Sequence, residues 1–200
     1  MNFINKKKPT CVIAFMGVDG SGKSTIIDKL SRSLSGKYAK IRYLHLRPYL
    51  FLTDKRIVVK NPHNIIKTPS KIASLFKILS WLIIYRLFFL TNLKKKNQLI
   101  VFDRYAHDLT IDPIRYNFNL PKKITRYILN LFPEPDLWII LTAAVTKIEQ
   151  RKKELSSKEL KRQMKLYINF SRTKKNSFII NTNKTISKNL KLIIKRITIN

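Results

Sequence analysis

The chain has 200 residues, 41 of them Lys or Arg and only 11 Asp or Glu, for a formal charge of +30. That length suits one domain with a real core, and a hydrophobic share of 44% excludes global disorder. A single cysteine, Cys11, excludes a disulfide framework and fits a reducing cytoplasm, while the charge points to polyanions: nucleic acid, an anionic membrane surface or phosphorylated small molecules.

In chain order, "NKKKPT" is followed by too short an apolar run for a signal peptide. "TCVIAFM" reads as a strand, and "KSTIIDKLSRSL" has helical spacing through Ile26, Ile27, Leu30 and Leu34. "KIRYLHL" is a second strand. The segment from Asn61 to Leu93 is mostly helix, broken at Pro62 and Pro69. Its apolar part, Leu75 to Leu93, is interrupted by Lys77 and Arg86, so a largely buried helix with a basic edge is expected rather than a membrane span. Interfacial membrane contact is the alternative for that stretch. "QLIVF" is a third strand, "PKKITRYILNLF" a helix opened by proline, and "DLWIIL" a fourth strand. A short helix "VTKIEQRKK" and a longer one, "SKELKRQMKLYINFSR", follow, the latter with Ser156 and Glu159 placed as a capping box. "SFIIN" is a fifth strand and "ISKNLKLIIKRI" the closing helix. Alternation of this kind predicts a five-stranded parallel α/β sheet with helices on both faces, in one domain over residues 1–200.

"GVDGSGKST", Gly17 to Thr25, contains G-x-x-x-x-G-K-S between the first strand and first helix, the context that a phosphate-binding P-loop requires. Three of the four glycines, Gly17, Gly20 and Gly22, fall in it. Backbone N–H groups there, from Gly20 and Ser21 through Thr25, would hold phosphate oxygens of ATP. Lys23 would add a cation on the β- and γ-phosphates, and the Ser24 hydroxyl a ligand for Mg²⁺. Asp19 would repel phosphate. Its side chain is expected either to point toward a second substrate or to tie the turn.

"VFDRYAHDLTIDPIRY" puts three acids just past an apolar strand. Asp103 at the strand end has the Walker-B position for Mg²⁺. Arg104 offers a two-pronged clamp for phosphate, and Tyr105 a ring and a hydroxyl. Asp108 and Asp112 lie further on, in a stretch expected to pass over the acceptor as a loop. Arg104 can also pair with Asp103 or Asp108, and one of the later acids with Arg115. His45, His63 and His107 have no metal-ligand spacing.

At these residues the chain resembles the thymidylate kinase family of nucleoside monophosphate kinases. The likeness lies in "GVDGSGKST", in "DRY" at the expected distance, and in "PDLWIIL" followed by "KIEQRKK". More narrowly, "DRYAHDLTIDPIRY" with "ELSSKELKRQMKLY" resembles a bacterial branch often associated with surface polysaccharide gene clusters. The resemblance implies the P-loop NTPase fold of nucleotide kinase type, an acceptor-side helical region at about 48–95 and a lid at about 151–162. It implies ATP and Mg²⁺ as cofactors. Lys23 and Arg151 would stabilise the moving phosphoryl group, while Arg104 and Arg47 hold the acceptor. Two departures stand out: "HLRPYL" keeps Arg47 and Pro48 but lacks the family's acid and glycines, and Asp108 stands near the place of a serine. They leave open whether the acceptor is a nucleoside monophosphate or a hydroxyl of a nucleoside or sugar; in the second case Asp108 and Asp19 become candidate bases. A basic P-loop module that only binds nucleotide and attaches to nucleic acid or membrane is the rival class. Expected partners beyond the small acceptor are a second copy of the chain as a homodimer, nucleic acid, or an anionic membrane surface. The expected location is the cytoplasm or the inner face of its membrane.

Overall fold

A computed structural model describes residues 9–46, 68–152 and 155–199. Five strands form one all-parallel sheet: β1 (Cys11–Met16), β2 (Lys40–His45), β3 (Gln98–Asp103), β4 (Leu137–Thr142) and β5 (Ser177–Asn181). Their order is β2-β3-β1-β4-β5. Composition explains the order. The central strands "CVIAFM", "LWIILT" and "QLIVFD" are almost continuously apolar, as a strand buried on both faces must be. The edge strands "KIRYLH" and "SFIIN" carry polar residues and are only partly buried.

Seven helices lie among the described residues: α1 (Lys23–Ser33), α2 (Lys71–Leu93), α3 (Asp108–Ile111), α4 (Lys122–Leu129), α5 (Val145–Arg151), α6 (Ser157–Thr173) and α7 (Ile186–Ile199). The strand period of two divides the core. Ile13, Phe15, Leu99, Val101, Ile139 and Leu141 face α1 and α7 through Ile26, Ile27, Leu30, Ile193 and Ile197. Val12, Ala14, Met16, Ile100, Phe102 and Trp138 face the inner sides of α2, α4 and α6. Tyr105 sits in this second core rather than facing an acceptor. It is fully buried against Phe102, Tyr85 and Trp138, and its hydroxyl donates to the Pro133 carbonyl. The expectation that it contacts substrate is corrected here: β3 ends at Asp103, and the left-handed Arg104 turns the chain so that Tyr105 joins the core of Ile100 and Phe102.

Two further expectations change. The stretch after Asp103 is not one loop; it folds into α3 and a single 3₁₀ turn, Ile114–Tyr116. The α2 region is not largely buried. Ser74, Ile78, Trp81, Tyr85, Phe88 and Phe89 form its inner stripe, whereas Ile72, Phe76, Leu79, Ile83, Leu87 and Leu90 are exposed. Nor do its two internal cations form a free edge. Lys77 Nζ donates to the carbonyls of Tyr116 (2.7 Å) and Asn117 (3.2 Å), and the Arg86 guanidinium to that of Leu131 (3.0 Å). Residues 48–67 of the expected acceptor-side region lie outside the described residues.

Candidate active site

The loop between β1 and α1 leaves the carboxyl end of the central strand, where β1 has β3 on one side and β4 on the other. Crevices of parallel sheets open at such a point. Gly17 has φ of 145°, and a Cβ there would lie 2.6 Å from the Leu141 carbonyl oxygen, so only glycine fits between β1 and β4. Gly22, in the left-handed region at φ of 89°, caps α1 and turns the following N–H groups toward the loop. Ser24 and Thr25 are exposed on the first turn of α1. Ser21 is fully buried, and its hydroxyl has no hydrogen-bond partner.

Lys23 folds back over the loop. Its Nζ donates to the carbonyls of Gly17 (2.8 Å) and Val18 (2.9 Å). Burial, with the Arg104 guanidinium next in weight, lowers its pKa to about 8. The ammonium thus rests on two neutral carbonyls, partners that the more strongly attracting oxygens of a phosphate can replace. Arg151, at the end of α5, reaches the same loop and donates to the Gly20 carbonyl at 3.3 Å. Arg162, the other arginine of the expected lid, is on α6 and pairs with Glu159 and the Ile111 carbonyl instead. Residues 153–154 between them lie outside the described residues.

Asp103 ends β3, paired in register with Phe15 on β1 and His45 on β2. Its Oδ2 accepts a hydrogen bond of 2.5 Å from the Tyr43 hydroxyl, while its Oδ1 is buried without a partner. A lone carboxylate oxygen of this kind, within electrostatic reach of Lys23, fits Mg²⁺, for which the exposed Ser24 hydroxyl is the second candidate ligand. Mg²⁺ uses one or two protein oxygens and completes its shell with water and phosphate. The described residues contain no group of three or more His, Cys, Asp or Glu side chains that could hold a metal ion. Tyr43 was not singled out from the sequence. It shares a face with Asp103 because β2 pairs with β3 in the register Tyr43–Val101 and His45–Asp103.

Immediately after Asp103 the chain takes an uncommon turn. Arg104 has a left-handed backbone, φ of 73°, and its N–H donates to the Phe15 carbonyl at 2.9 Å. That twist sends the side chain into a buried cluster. One arm of the guanidinium donates to Asp108 Oδ2 (2.6 Å) and the Tyr167 hydroxyl (3.0 Å), and the other donates to Asp19. Asp19 also pairs with Arg115 and, at 3.4 Å, with Lys152. Burial alone would raise the Asp19 pKa, but Arg104, Lys23, Arg115 and Lys152 together hold it far below the usual carboxylate range. Arg104 is driven the opposite way. Burial opposes its charge, and Asp19, Tyr167 and Asp108 more than restore it.

These contacts sort the expected acceptor residues. Asp19 points away from the phosphate loop, as expected, but to arginines. Asp108 does not lie in a loop over the cavity. It opens α3, is fully buried, and accepts from Arg104, Tyr167 (2.9 Å) and Tyr116 (3.2 Å). Three donors on one carboxylate make it a brace for Arg104 rather than a contact for ligand. Asp112 ends the same short helix, buried, and accepts from the Arg115 backbone N–H at 3.4 Å. Of the group, Asp19, Arg115 and Lys152 retain some exposure, with side chains 14%, 12% and 39% accessible. Arg47 lies outside the described residues. Tyr116, Tyr167 and the Arg115–Asp19 pair escaped sequence reasoning, because α6 and the 3₁₀ turn meet Arg104 only after the chain folds.

Comparison with solved structures agrees with this architecture. No family model and no curated protein matches the sequence. A thymidylate kinase from Candida albicans superimposes with a TM-score of 0.63 at 19% identity, over 96% of this chain and 92% of the other. A thymidylate kinase from Ehrlichia chaffeensis gives 0.57 at 16% identity, over 94% and 98%. Deoxyadenosine kinase from M. mycoides, solved with dCMP and dCDP bound, gives 0.60 at 18% identity, over 94% and 100%. The chain therefore has the P-loop fold of the nucleotide kinases. Within that class, its fold is like that of thymidylate kinases and of a deoxynucleoside kinase.

Proposed function

We propose that the protein is an ATP- and Mg²⁺-dependent phosphotransferase acting on a small acceptor, with a nucleoside monophosphate as the first reading. The observation that carries this reading is the phosphate loop, with Lys23 in electrostatic reach of Asp103, whose Oδ1 has no partner, and with the buried Arg104 cluster following Asp103 in the chain. Loop N–H groups and Lys23 hold phosphate oxygens. Asp103 and Ser24 hold the metal, which when bound offsets negative charge on the phosphates. Arg151 supplies a cation from the lid side of the loop. Arg115 and Asp19, at the accessible edge of the cluster, orient the acceptor.

A second reading is a hydroxyl acceptor on a nucleoside or sugar. One observation favours it: Arg104 is already engaged by Asp19, Asp108 and Tyr167, which leaves less of its fork for an acceptor phosphate. Kinship of fold with a deoxyadenosine kinase supports the same possibility. Here a proton must leave the hydroxyl. Asp108 is enclosed, and Asp19 is a weak base so long as its arginines hold it.

The test is ATP consumption by the purified chain over thymidylate, other nucleoside monophosphates, nucleosides and free sugars, with and without Mg²⁺. Turnover with monophosphates supports the first reading, and turnover with only nucleosides or sugars the second. Nucleotide binding with no turnover on any acceptor would leave the module reading in its place.

A further inference from the structure

Between α3, α4 and α6 lies a cavity of about 500 Å³ that the candidate active site does not use. Its size is in the range of small-molecule sites. None of its lining residues belongs to the phosphate loop or to the Arg104 cluster. Helix α3 gives Asp108 to Arg104 but Thr110 and Ile111 to the cavity, so the two places share a helix and no side chain.

The lining divides by chemistry. Leu129 and the ring of Phe170 supply apolar surface, and His107 lies beside that ring, with 5.1 Å between centroids. Both ring nitrogens of His107 are buried without a hydrogen-bond partner. Buried polar atoms are rarely left so, and each that is needs a reason. Burial, with Lys174 next, lowers the His107 pKa to about 3, so the ring is neutral at neutral pH and holds one donor and one acceptor that no protein group uses. The charged part of the lining is cationic throughout. Lys122 and Arg126 stand one turn apart on α4, both exposed, and neither side chain has an ion pair or hydrogen bond among the described residues. Lys174 lies over the Trp138 and Phe170 rings, 5.6 and 5.8 Å from their centroids, and pairs with Glu134. Glu134 is outside the lining, which holds no Asp or Glu.

We propose that this cavity is a second binding site, for a small ligand that joins a planar apolar ring to an anionic phosphate or carboxylate group. The anion meets Lys122 and Arg126, whose charges no carboxylate offsets, and the ring lies on Phe170 and Leu129. A polar atom on the ring satisfies His107, which costs stability while it is unpaired. A cationic ligand is disfavoured, since three cations and no acid line the space.

The test follows the histidine ring protons of the full chain by NMR as phenyl phosphate or benzoate is added; the His107 resonances are those missing from His107→Phe. Saturable shifts of these resonances are expected with at least one of the two probes at millimolar concentration, and the responding probe identifies the anion. Phenol, which lacks the charge, and inorganic phosphate or acetate, which lack the ring, should each bind at least about tenfold more weakly. Lys122→Ala with Arg126→Ala should weaken the probe about tenfold or more, the scale for loss of charge-assisted hydrogen bonds. Both side chains are exposed, so circular dichroism should match the parent; Arg126→Gln alone, with a loss in the same direction, serves if the double variant does not fold. Lys23→Ala should leave the His107 shifts as they are, because the phosphate loop takes no part in them. Absence of saturable shifts at His107 with both probes overturns the proposal. So does inorganic phosphate or acetate that binds as tightly as its ring-bearing counterpart, or a double variant that binds as tightly as the parent. Loss of the shifts in Lys23→Ala would assign the probe to the phosphate loop and overturn it as well.

Discussion

The two halves of the candidate site are built on opposite plans. The phosphate loop is local: nine consecutive residues, Gly17 to Thr25, carry its glycines, its lysine and its helix start. Its ligands are mainly backbone groups, and Lys23 rests on carbonyls of the same loop. The Arg104 cluster is assembled from separate parts of the chain. Asp19 comes from the loop, Arg104 and Asp108 from the end of β3 and the start of α3, Arg115 and Tyr116 from the 3₁₀ turn, Lys152 from the end of α5, and Tyr167 from α6. The first half should therefore lose function without losing the fold, and the second should lose both.

The largest stability effect should follow Arg104→Ala. Removal of the guanidinium leaves Asp19 and Asp108 without their shared partner, and breaking a buried pair in this way costs about 3–5 kcal/mol. Urea denaturation measures it; a loss under 1 kcal/mol would mean that the cluster is not a structural joint. Lys23→Ala should separate function from fold. We expect a fall of about 10²–10³ in turnover, the scale for loss of one group that stabilises transition-state charge. Because burial already opposes the Lys23 charge, the melting temperature should hold or rise. A parallel fall of rate and stability would blur the contrast between the halves.

His107 sharpens the comparison from outside the site. It stacks among Tyr105, Trp138 and Phe170, neither ring nitrogen has a partner, and burial, helped by Lys174, lowers its pKa to about 3. The unfolded chain binds this proton near pH 6.5, the folded one only near 3. Stability from this group is complete above pH 6.5 and lost as pH falls, by at most about 1.4 kcal/mol per unit. His107→Phe should flatten that slope between pH 6.5 and 4 in thermal melts at stepped pH. An unchanged slope would place the acid sensitivity in other groups.

The smallest effect concerns Tyr43. Tyr43→Phe removes the hydrogen bond that aims Asp103, worth about 0.5–1.5 kcal/mol. The apparent Mg²⁺ affinity should fall about two- to tenfold, with the melting temperature nearly unchanged. Titration of Mn²⁺ by paramagnetic resonance reads this without relying on turnover. Equal affinities would make the bond incidental to the metal.

From the sequence alone, the alternation of strands and helices, the phosphate loop and the acid at the end of β3 were legible. Each depends on residues close together in the chain: a period, a glycine spacing, an apolar run that stops at a carboxylate. Half of the capping box also held: the Ser156 hydroxyl accepts from the Glu159 N–H at 3.3 Å, while the Glu159 carboxylate accepts from Arg162 and Gln163. Tertiary structure decided what lies between those elements. Strand register put Tyr43 beside Asp103. Packing of α6 against α3 enclosed Asp108, which read as a ligand contact because nothing local marks a carboxylate that three distant donors will satisfy. Tyr105 went to the core for a related reason, since "DRY" carries no sign of which face each side chain will take after a left-handed residue. The same limit applied to α2. Its composition announced an apolar helix, but only packing against the residues of β1 and β3 determined that one stripe is covered and the other left outside.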